Sequence, residues 1–393
     1  MRLIHTSDWH LGRSLHSEDL LPHAEAFLDW LLELATAGQT RADAIIVAGD
    51  VYDRAIPPVE AVRLLDRAVS AFAEKKIPLV ITGGNHDSAV RLGFGRALSE
   101  SAGIHLRTSL DDLTRPILVA DAFGPVAIYG MPYLLPDAVM GELDADRAHS
   151  SVLAKATERV RHDAAARGLE RVVLVGHALV TGATKCKSER DIRVGGVADV
   201  PTSVFDGFCY VALGHLHRAQ VVRDRTSAAG GTTISYSGSP LPLSFSEKAN
   251  TKSVTVVDIA ADGTAKLAHP ATPVPRPMRE VKGELEDLLA RADGELAELA
   301  QAWVRVVLTD RVRPTSPMDR LRAKWPHTLD LDYEPAGEAV DTAADLAKLA
   351  ETTDPFEICK LFVEFVTNAP PDPEESAVLR AAVEAAQHAE GSE

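Results

Sequence analysis

Five short motifs hold the residues best suited to chemistry: Asp8-Trp9-His10, Gly49-Asp50, Gly84-Asn85-His86-Asp87, Gly176-His177 and Gly214-His215-Leu216-His217. Asp8, His10, Asp50, Asn85, His177, His215 and His217 are two carboxylates, one amide and four imidazoles. This mixed oxygen and nitrogen set, without thiolate, suits manganese, iron or zinc, and magnesium less well. The set is larger than one ion needs. Two divalent ions bridged by a carboxylate would use all of it, with Asp50 as the natural bridge. Such a pair clamps phosphate oxygens and activates a water for in-line attack. His86, flanked by Asn85 and Asp87, is the candidate to protonate the leaving oxygen or stabilise charge on it. Asp53 either orients that imidazole or caps a turn.

The elements that must position these motifs are legible to about residue 260. Strands are expected at Leu3–Thr6, Ala44–Ala48, Pro78–Thr82, Val126–Tyr129, Val172–Val175, Tyr210–Leu213, Ile234–Ser237 and Val254–Ile259. Helical spacing occupies Leu20–Ala35, Glu60–Glu74 and Ser151–Arg167. The alternation predicts a layered α/β domain with buried sheet. Each motif stands at or just after a strand end, and loops at carboxyl ends of parallel strands share a crevice. A lone buried histidine is usually a satisfied core residue, and an aspartate after glycine is usually a turn. Five of the fourteen histidines on glycine-punctuated strand ends, two of them in a His-x-His step, favour a shared site.

The composition, 46% hydrophobic and 25% charged over 393 residues, is ordinary for a soluble globular chain. At roughly 100–200 residues per domain this length predicts two or three domains. We divide it into an α/β domain over residues 1–262, a proline-rich linker over 263–278, a small α+β domain over 279–335 and helices over 340–393. In the small domain, strands are expected at Arg279–Val281, Ala302–Leu308 and Thr328–Asp332, with helices at Leu285–Leu299 and Met318–Trp325. Asp354-Pro355 starts a helix, followed by apolar Ile358, Leu361, Phe362, Phe365 and Val366. Glu374–Ala389 is a last, acidic helix. No run of eighteen apolar residues predicts a membrane span. The polar start predicts no signal peptide, and three scattered cysteines without a CxxC pair predict a reducing, cytoplasmic setting.

A net charge of −16 argues at first against a nucleic-acid partner. Two divalent ions would more than neutralise Asp8 and Asp50, however, so the site itself would attract a phosphodiester. Arg13, His16 and Arg91 near the ligand loops read equally as phosphate contacts or solvated surface. Lys185, Lys187, Arg190 and Arg193 form a basic loop beyond His177 that favours substrate contact, unless Asp191 ties the arginines into a structural network. Trp9 reads as packing rather than base stacking. The stripe of Ile358, Leu361, Phe362 and Phe365 either packs internally or docks a partner, which its place between linkers favours.

Together the motifs resemble the calcineurin-like metallophosphoesterase superfamily. Within it, Thr6-Ser-Asp-Trp-His-Leu-Gly12, Gly49-Asp-Val-Tyr-Asp53, Gly84-Asn-His-Asp-Ser88, Ser188-Glu-Arg-Asp-Ile-Arg193, Gly214-His-Leu-His217 and Tyr236-Ser-Gly-Ser-Pro240 resemble nuclease subunits that act with a coiled-coil ATPase of the SbcC type. The resemblance implies an α/β/β/α sandwich with a capping domain and C-terminal helices that dock on the ATPase. It places Asp8, His10, Asp50 and His217 on one manganese, and Asp50, Asn85, His177 and His215 on the other. It further implies ATP-dependent double-strand exonuclease and single-strand or hairpin endonuclease activity in DNA recombination, replication and repair. The chain has no Gly-x-x-x-x-Gly-Lys-Ser/Thr loop, so ATP hydrolysis falls to the partner. A homodimer within a heterotetramer is part of the same expectation, though no sequence stripe carries it. Two other readings stay open: a phosphomonoesterase or cyclic-nucleotide phosphodiesterase on the same scaffold, and a non-catalytic binding scaffold.

Overall fold

The computed structural model describes all residues except 39–40, 187, 190–191, 193–199, 224–230, 335–353, 368–369 and 391–393. The chain forms two compact units, Met1–Pro275 and Arg276–Glu393.

The first strands of unit one are β1 (Arg2–Thr6), a short hairpin of β2 (Ser14–Leu15) and β3 (Glu18–Asp19), β4 (Ala44–Ala48), β5 (Leu79–Thr82) and β6 (Ile104–Arg107). Next come β7 (Ile117–Asp121), β8 (Gly124–Gly130), β9 (Val172–His177), β10 (Tyr210–Gly214), β11 (Gln220–Arg223), β12 (Thr233–Tyr236), β13 (Thr255–Ile259) and β14 (Ala265–Ala268). They build two six-stranded sheets, β14-β13-β1-β4-β5-β6 and β11-β12-β10-β9-β8-β7. In the first, β1, β4, β5 and β6 are parallel, and β13 and β14 run antiparallel to their neighbours. In the second, β8, β9, β10 and β12 are parallel, with β7 and β11 antiparallel at the edges.

Side-chain alternation along the strands sets the layers. Ile45, Val47, Leu79 and Ile81 pack with Phe27, Leu31 and Phe72 of the helices Leu21–Thr36 and Val59–Glu74. The intervening Ile46, Ala48 and Val80 instead face Ile128, Val173, Val175 and Ala212 of the second sheet. That sheet turns Leu174, Val211 and Leu213 toward Val152, Leu153 and Val160 of the helix His149–Ala166. The result is the expected α/β/β/α sandwich. Both faces of the central strands are covered, so these strands read as unbroken apolar runs.

Two boundaries differ from the sequence reading. The stretch 263–278 is not all connector. Within it β14 pairs with β13, Ala271 bridges to Ser253, and Thr272 donates its amide to Lys252 and its hydroxyl to the Pro240 carbonyl at 2.6 Å. The edge strand β14 is only four residues long and is broken by Lys266, so it does not show as an apolar run. The expected helix 285–299 ends at Arg291; Gly294 lies in the turn that follows, and a 3-10 turn takes Ala297–Gln301. Glycine at that point weakens helix continuation.

Unit two holds a parallel sheet of β15 (Met278–Gly283), β16 (Trp303–Leu308) and β17 (Thr328–Tyr333). Its core gathers Leu285, Leu288, Val304, Val306, Leu321 and Trp325. Helices Pro355–Thr367 and Pro373–Glu390 follow. Asp354 caps the first through the Phe356 amide at 2.9 Å, and the Arg380 guanidinium covers the buried Phe356 ring at 4.0 Å. Phe362 is 61% exposed, Ile358 and Leu361 are half-buried, and the Phe365 side chain lies outside the described residues.

Truncating a fully packed residue of the outer layer tests this arrangement. Phe72→Ala is expected to lower stability by ~3–5 kcal/mol, read as the midpoint shift in urea denaturation. A loss under about 1 kcal/mol would contradict the packing described.

Candidate metal centre

Parallel pairing puts the carboxyl ends of β1, β4 and β5 on one edge of the first sheet and those of β9, β10 and β12 on one edge of the second. The two edges meet. The His215 amide donates to both Asp8 oxygens, at 3.0 and 3.2 Å, joining the loops after β1 and β10. Within the first sheet, the Asp8 amide donates to Gly49 O and the His10 amide to Asp50 O, each at 3.0 Å. All the proposed ligands except half-buried Asn85 are buried.

The backbone is strained where these side chains turn inward. Asp8, His10, Asp50 and His215 have φ of 53°, 44°, 51° and 102°, half of the eight non-glycine residues with positive φ among the described residues. Left-handed backbone at such residues costs on the order of 1–3 kcal/mol each and clusters at functional sites. Close approach adds a second demand. A Cβ on Gly84 would sit 2.1 Å from an Asp50 oxygen, and one on Gly214 would sit 1.9 Å from the Ala48 carbonyl. Only glycine lets these strand ends come together.

The ligand atoms form overlapping groups. Those of Asp8, His10 and His217 lie within 4.8 Å of one another, as do those of Asp8, Asp50 and His177, and those of His10, Asp50 and His86. Asp50 Oδ2 lies 3.7 Å from His10 Nε2 and 3.4 Å from His177 Nε2, so it faces both sides of the cluster. Asn85 Oδ1 lies 2.9 Å from His177 Nε2 and 3.2 Å from His215 Nδ1. The residues fit a pair of cations. His10 Nε2 is buried without a hydrogen-bond partner, and oxygen and nitrogen donors converge from both sheets.

Backbone and side-chain partners orient the imidazoles. His177 Nδ1 is 2.9 Å from the Ala48 carbonyl, which fixes Nδ1 as the donor and turns Nε2 toward Asn85 and Asp50. Burial pulls the His177 imidazole down, but facing Asp50 more than offsets it and raises it to about 9. Burial likewise opposes ionisation of Asp50, yet His177 holds that carboxyl well below the usual carboxylate range. Asp50 therefore stays ionised and offers its negative charge to a cation. Burial pushes Asp8 up to about 6 and drives His215 well below the ordinary imidazole value.

Asp53 does not hold His86 through its carboxylate. The Asp53 backbone carbonyl accepts from His86 Nδ1 at 2.7 Å, while the carboxylate lies 3.3 Å from His10 Nδ1 and 3.2 Å from Arg13. The main chain between Asp50 and Asp53 is thus what aims His86, and the Asp53 carboxylate faces His10 instead. The His86 amide donates to Asp50 at 2.9 Å, and its ring stands edge-on to His10 at 4.8 Å between centroids.

The other predicted residues divide. Arg13 is half-buried against Asp53, and Arg91 is exposed and donates to Ala55 O at 3.3 Å. Exposed His16 lies beside the Phe245 ring, and Lys185 is exposed. Lys187, Arg190, Asp191 and Arg193 lie outside the described residues. Trp9 is buried, packed on Phe27 and bonded to Thr6 Oγ1 at 3.0 Å.

Several residues escaped the sequence reading. Asp87 accepts the amides of Val51, Tyr52 and Gly84 at 2.9–3.1 Å and ties two ligand loops together. Glu189 accepts the His217 amide at 3.0 Å, so the segment read as a basic substrate loop also braces the centre. Glu247 and Lys252 are buried beside His217. Their only sequence signal is a short charged stretch, Glu247, Lys248 and Lys252, after the Tyr236–Pro240 motif.

Residues 1–219 match the family model described as calcineurin-like phosphoesterase, and residues 274–367 match one described as the type 5 capsule protein repressor C-terminal domain. Among curated proteins, the chain is 32% identical over 320 residues to the SbcD subunit of the nuclease SbcCD from Escherichia coli K12, covering 79% of this chain and 78% of that one. It is 31% identical over 336 residues to the corresponding SbcCD nuclease subunit from Staphylococcus saprophyticus, covering 84% of each. The converging ligand loops and these matches agree: the chain belongs to the calcineurin-like phosphoesterase family of metal-dependent hydrolases.

Proposed function

We propose that this chain is the DNA nuclease subunit of a two-component complex and cleaves phosphodiesters at the centre around Asp50. The observation that carries the hydrolytic reading is the placement of Asp50 Oδ2 between His10 and His177, with ligand-atom groups on either side. Asp8, His10, Asp50 and His217 would hold one divalent ion, and Asp50, Asn85, His177 and His215 the other, with manganese preferred. When bound, such a pair supplies positive charge for the phosphate oxygens and lowers the pKa of an attacking water. His86, fixed through Nδ1 to the Asp53 carbonyl, keeps Nε2 for the leaving oxygen. The choice of DNA as substrate draws on similarity to relatives named as nuclease subunits.

The partners follow the same reading. The helix Pro355–Thr367, with Phe362 exposed, is the proposed docking element for a coiled-coil ATPase. A second copy is proposed to pair through Ile56, Val59, Val62, Val90, Phe94 and Leu98. These exposed apolar side chains lie on two segments joined by the Arg91–Ala55 hydrogen bond. Large apolar side chains grouped this way mark interaction surfaces, and a two-fold pair would cover both copies at once. Among the described residues, no helix is long and apolar enough to cross a membrane.

Three outcomes test this reading. Purified chain with manganese and its ATPase should cut hairpin DNA; turnover of para-nitrophenyl phosphate without DNA cleavage under any condition would refute the nuclease assignment. His86→Ala should lower cleavage by ~10²–10⁴-fold while calorimetry still counts both ions; loss of an ion would make His86 a ligand instead. Phe94→Asp with Leu98→Asp should convert a dimer to a monomer in light scattering, and an unchanged mass would rule that surface out.

A further inference from the structure

His217 is held at every polar atom but one. Its amide donates to Glu189 at 3.0 Å. Its carbonyl accepts from Lys252 Nζ at 2.9 Å and from the Ser239 amide at 3.2 Å. Its Nδ1 lies 3.3 Å from Glu247 Oε1 and 2.8 Å from Ser188 Oγ. Nε2 remains, on the residue that groups with Asp8 and His10.

Behind it sits a buried ion pair. Glu247 and Lys252 are 1% and 5% exposed. Lys252 spends its three ammonium protons on Glu247 Oε2, on Ser239 Oγ at 2.8 Å and on the His217 carbonyl. Glu247 accepts in addition from Ser188 and from the Leu243 amide. Burial opposes its ionisation, but the Lys252 ammonium brings the carboxyl down to about 2. A buried pair of this kind adds little to stability over well-packed apolar residues of similar size, so its presence asks for another role.

We infer that Glu247 and Lys252 are positioning residues for the metal ligand His217. His217 Nδ1 donates to Ser188 Oγ at 2.8 Å, whose hydroxyl in turn donates to Glu247, with Glu247 Oε1 itself 3.3 Å from the ring nitrogen. This fixes the tautomer that offers Nε2 and makes that nitrogen a better donor. Lys252 keeps Glu247 aimed and clamps the His217 main chain from the other side. A carboxylate behind a ligating imidazole orients the ring and raises its basicity, and losing such a partner weakens metal binding by ~10–100-fold. The inference rests on the two-ion reading above and adds an asymmetry to it. The ion held by His217 depends on a buried charge pair, whereas the ion held by His177 depends on the neutral Ala48 carbonyl.

The test is a Mn2+ titration of the metal-free full chain, by calorimetry and electron paramagnetic resonance, with His217→Ala and His215→Ala as references for the two positions. Glu247→Gln should weaken one of the two ions by ~10–100-fold, with the pattern of His217→Ala and the other ion close to unchanged. Glu247→Leu with Lys252→Met removes the pair without leaving either charge buried alone. It should unfold thermally near the wild type yet show the same selective loss. Wild-type affinity for both ions in that double variant would overturn the positioning role, as would equal weakening of both or the pattern of His215→Ala. If the wild-type chain binds fewer than two Mn2+, the two-ion reading falls and this inference with it.

Discussion

Asp50 is a carboxylate buried where two sheets meet, and most of the local architecture serves that placement. An ionised group in such a position is tolerated only with compensating charge and hydrogen bonds. Here His177 and His10 face one oxygen and the His86 amide bonds the other. The left-handed backbone at Asp50 and the bare Cα of Gly84 beside it let the carboxylate enter the gap. Strain at Asp8, His10 and His215 follows from the same requirement, that strand ends from two sheets aim side chains at one small volume.

Around this centre the chain orients its imidazoles in two ways. His177 and His86 are each fixed by a backbone carbonyl, from Ala48 and Asp53. His10 and His217 face carboxylates, from Asp53 and Glu247. The carbonyl partners come from β4 and the loop that follows it, so they arise with the fold itself. Glu247 must be brought in by the segment after β12, and Asp87 locks that region's counterpart in the first sheet by taking three amides. The centre is thus assembled from both sheets, and neither half of the sandwich holds all of the proposed ligands.

Much of the fold was legible because central parallel strands are buried on both faces and appear as unbroken apolar runs. The strands that escaped are β6, β7, β11 and β14, together with the small β2–β3 hairpin. The first four are the edges of the two sheets. Edge strands β6 and β14 are four residues long and broken by His105 and Arg107 or by Lys266, whereas the apolar run Ile117–Ala120 of β7 was there to be read and was passed over. The helix expected over 285–299 failed for a local reason, Gly294, while its periodic first half held. In the site, the motif residues stood out because glycine punctuates four of the five strand ends, at Gly49, Gly84, Gly176 and Gly214. Asp87 was visible in its motif, but its three amide partners were not.

Sequence alone determined the kind of chemistry, since donor type and glycine-marked strand ends depend only on local order. It also determined the α/β layering, through apolar periodicity. Tertiary structure decided which atoms meet. That Asp53 turns its carbonyl to His86 and its carboxylate to His10 depends on the path of a turn pinned by Leu11 and Asp87. That Glu247 and Lys252 sit behind His217, 30 and 35 residues distant in sequence, depends on chain segments meeting at the sheet end. No spacing rule encodes such contacts, because they arise from packing between segments whose separation in sequence carries no period.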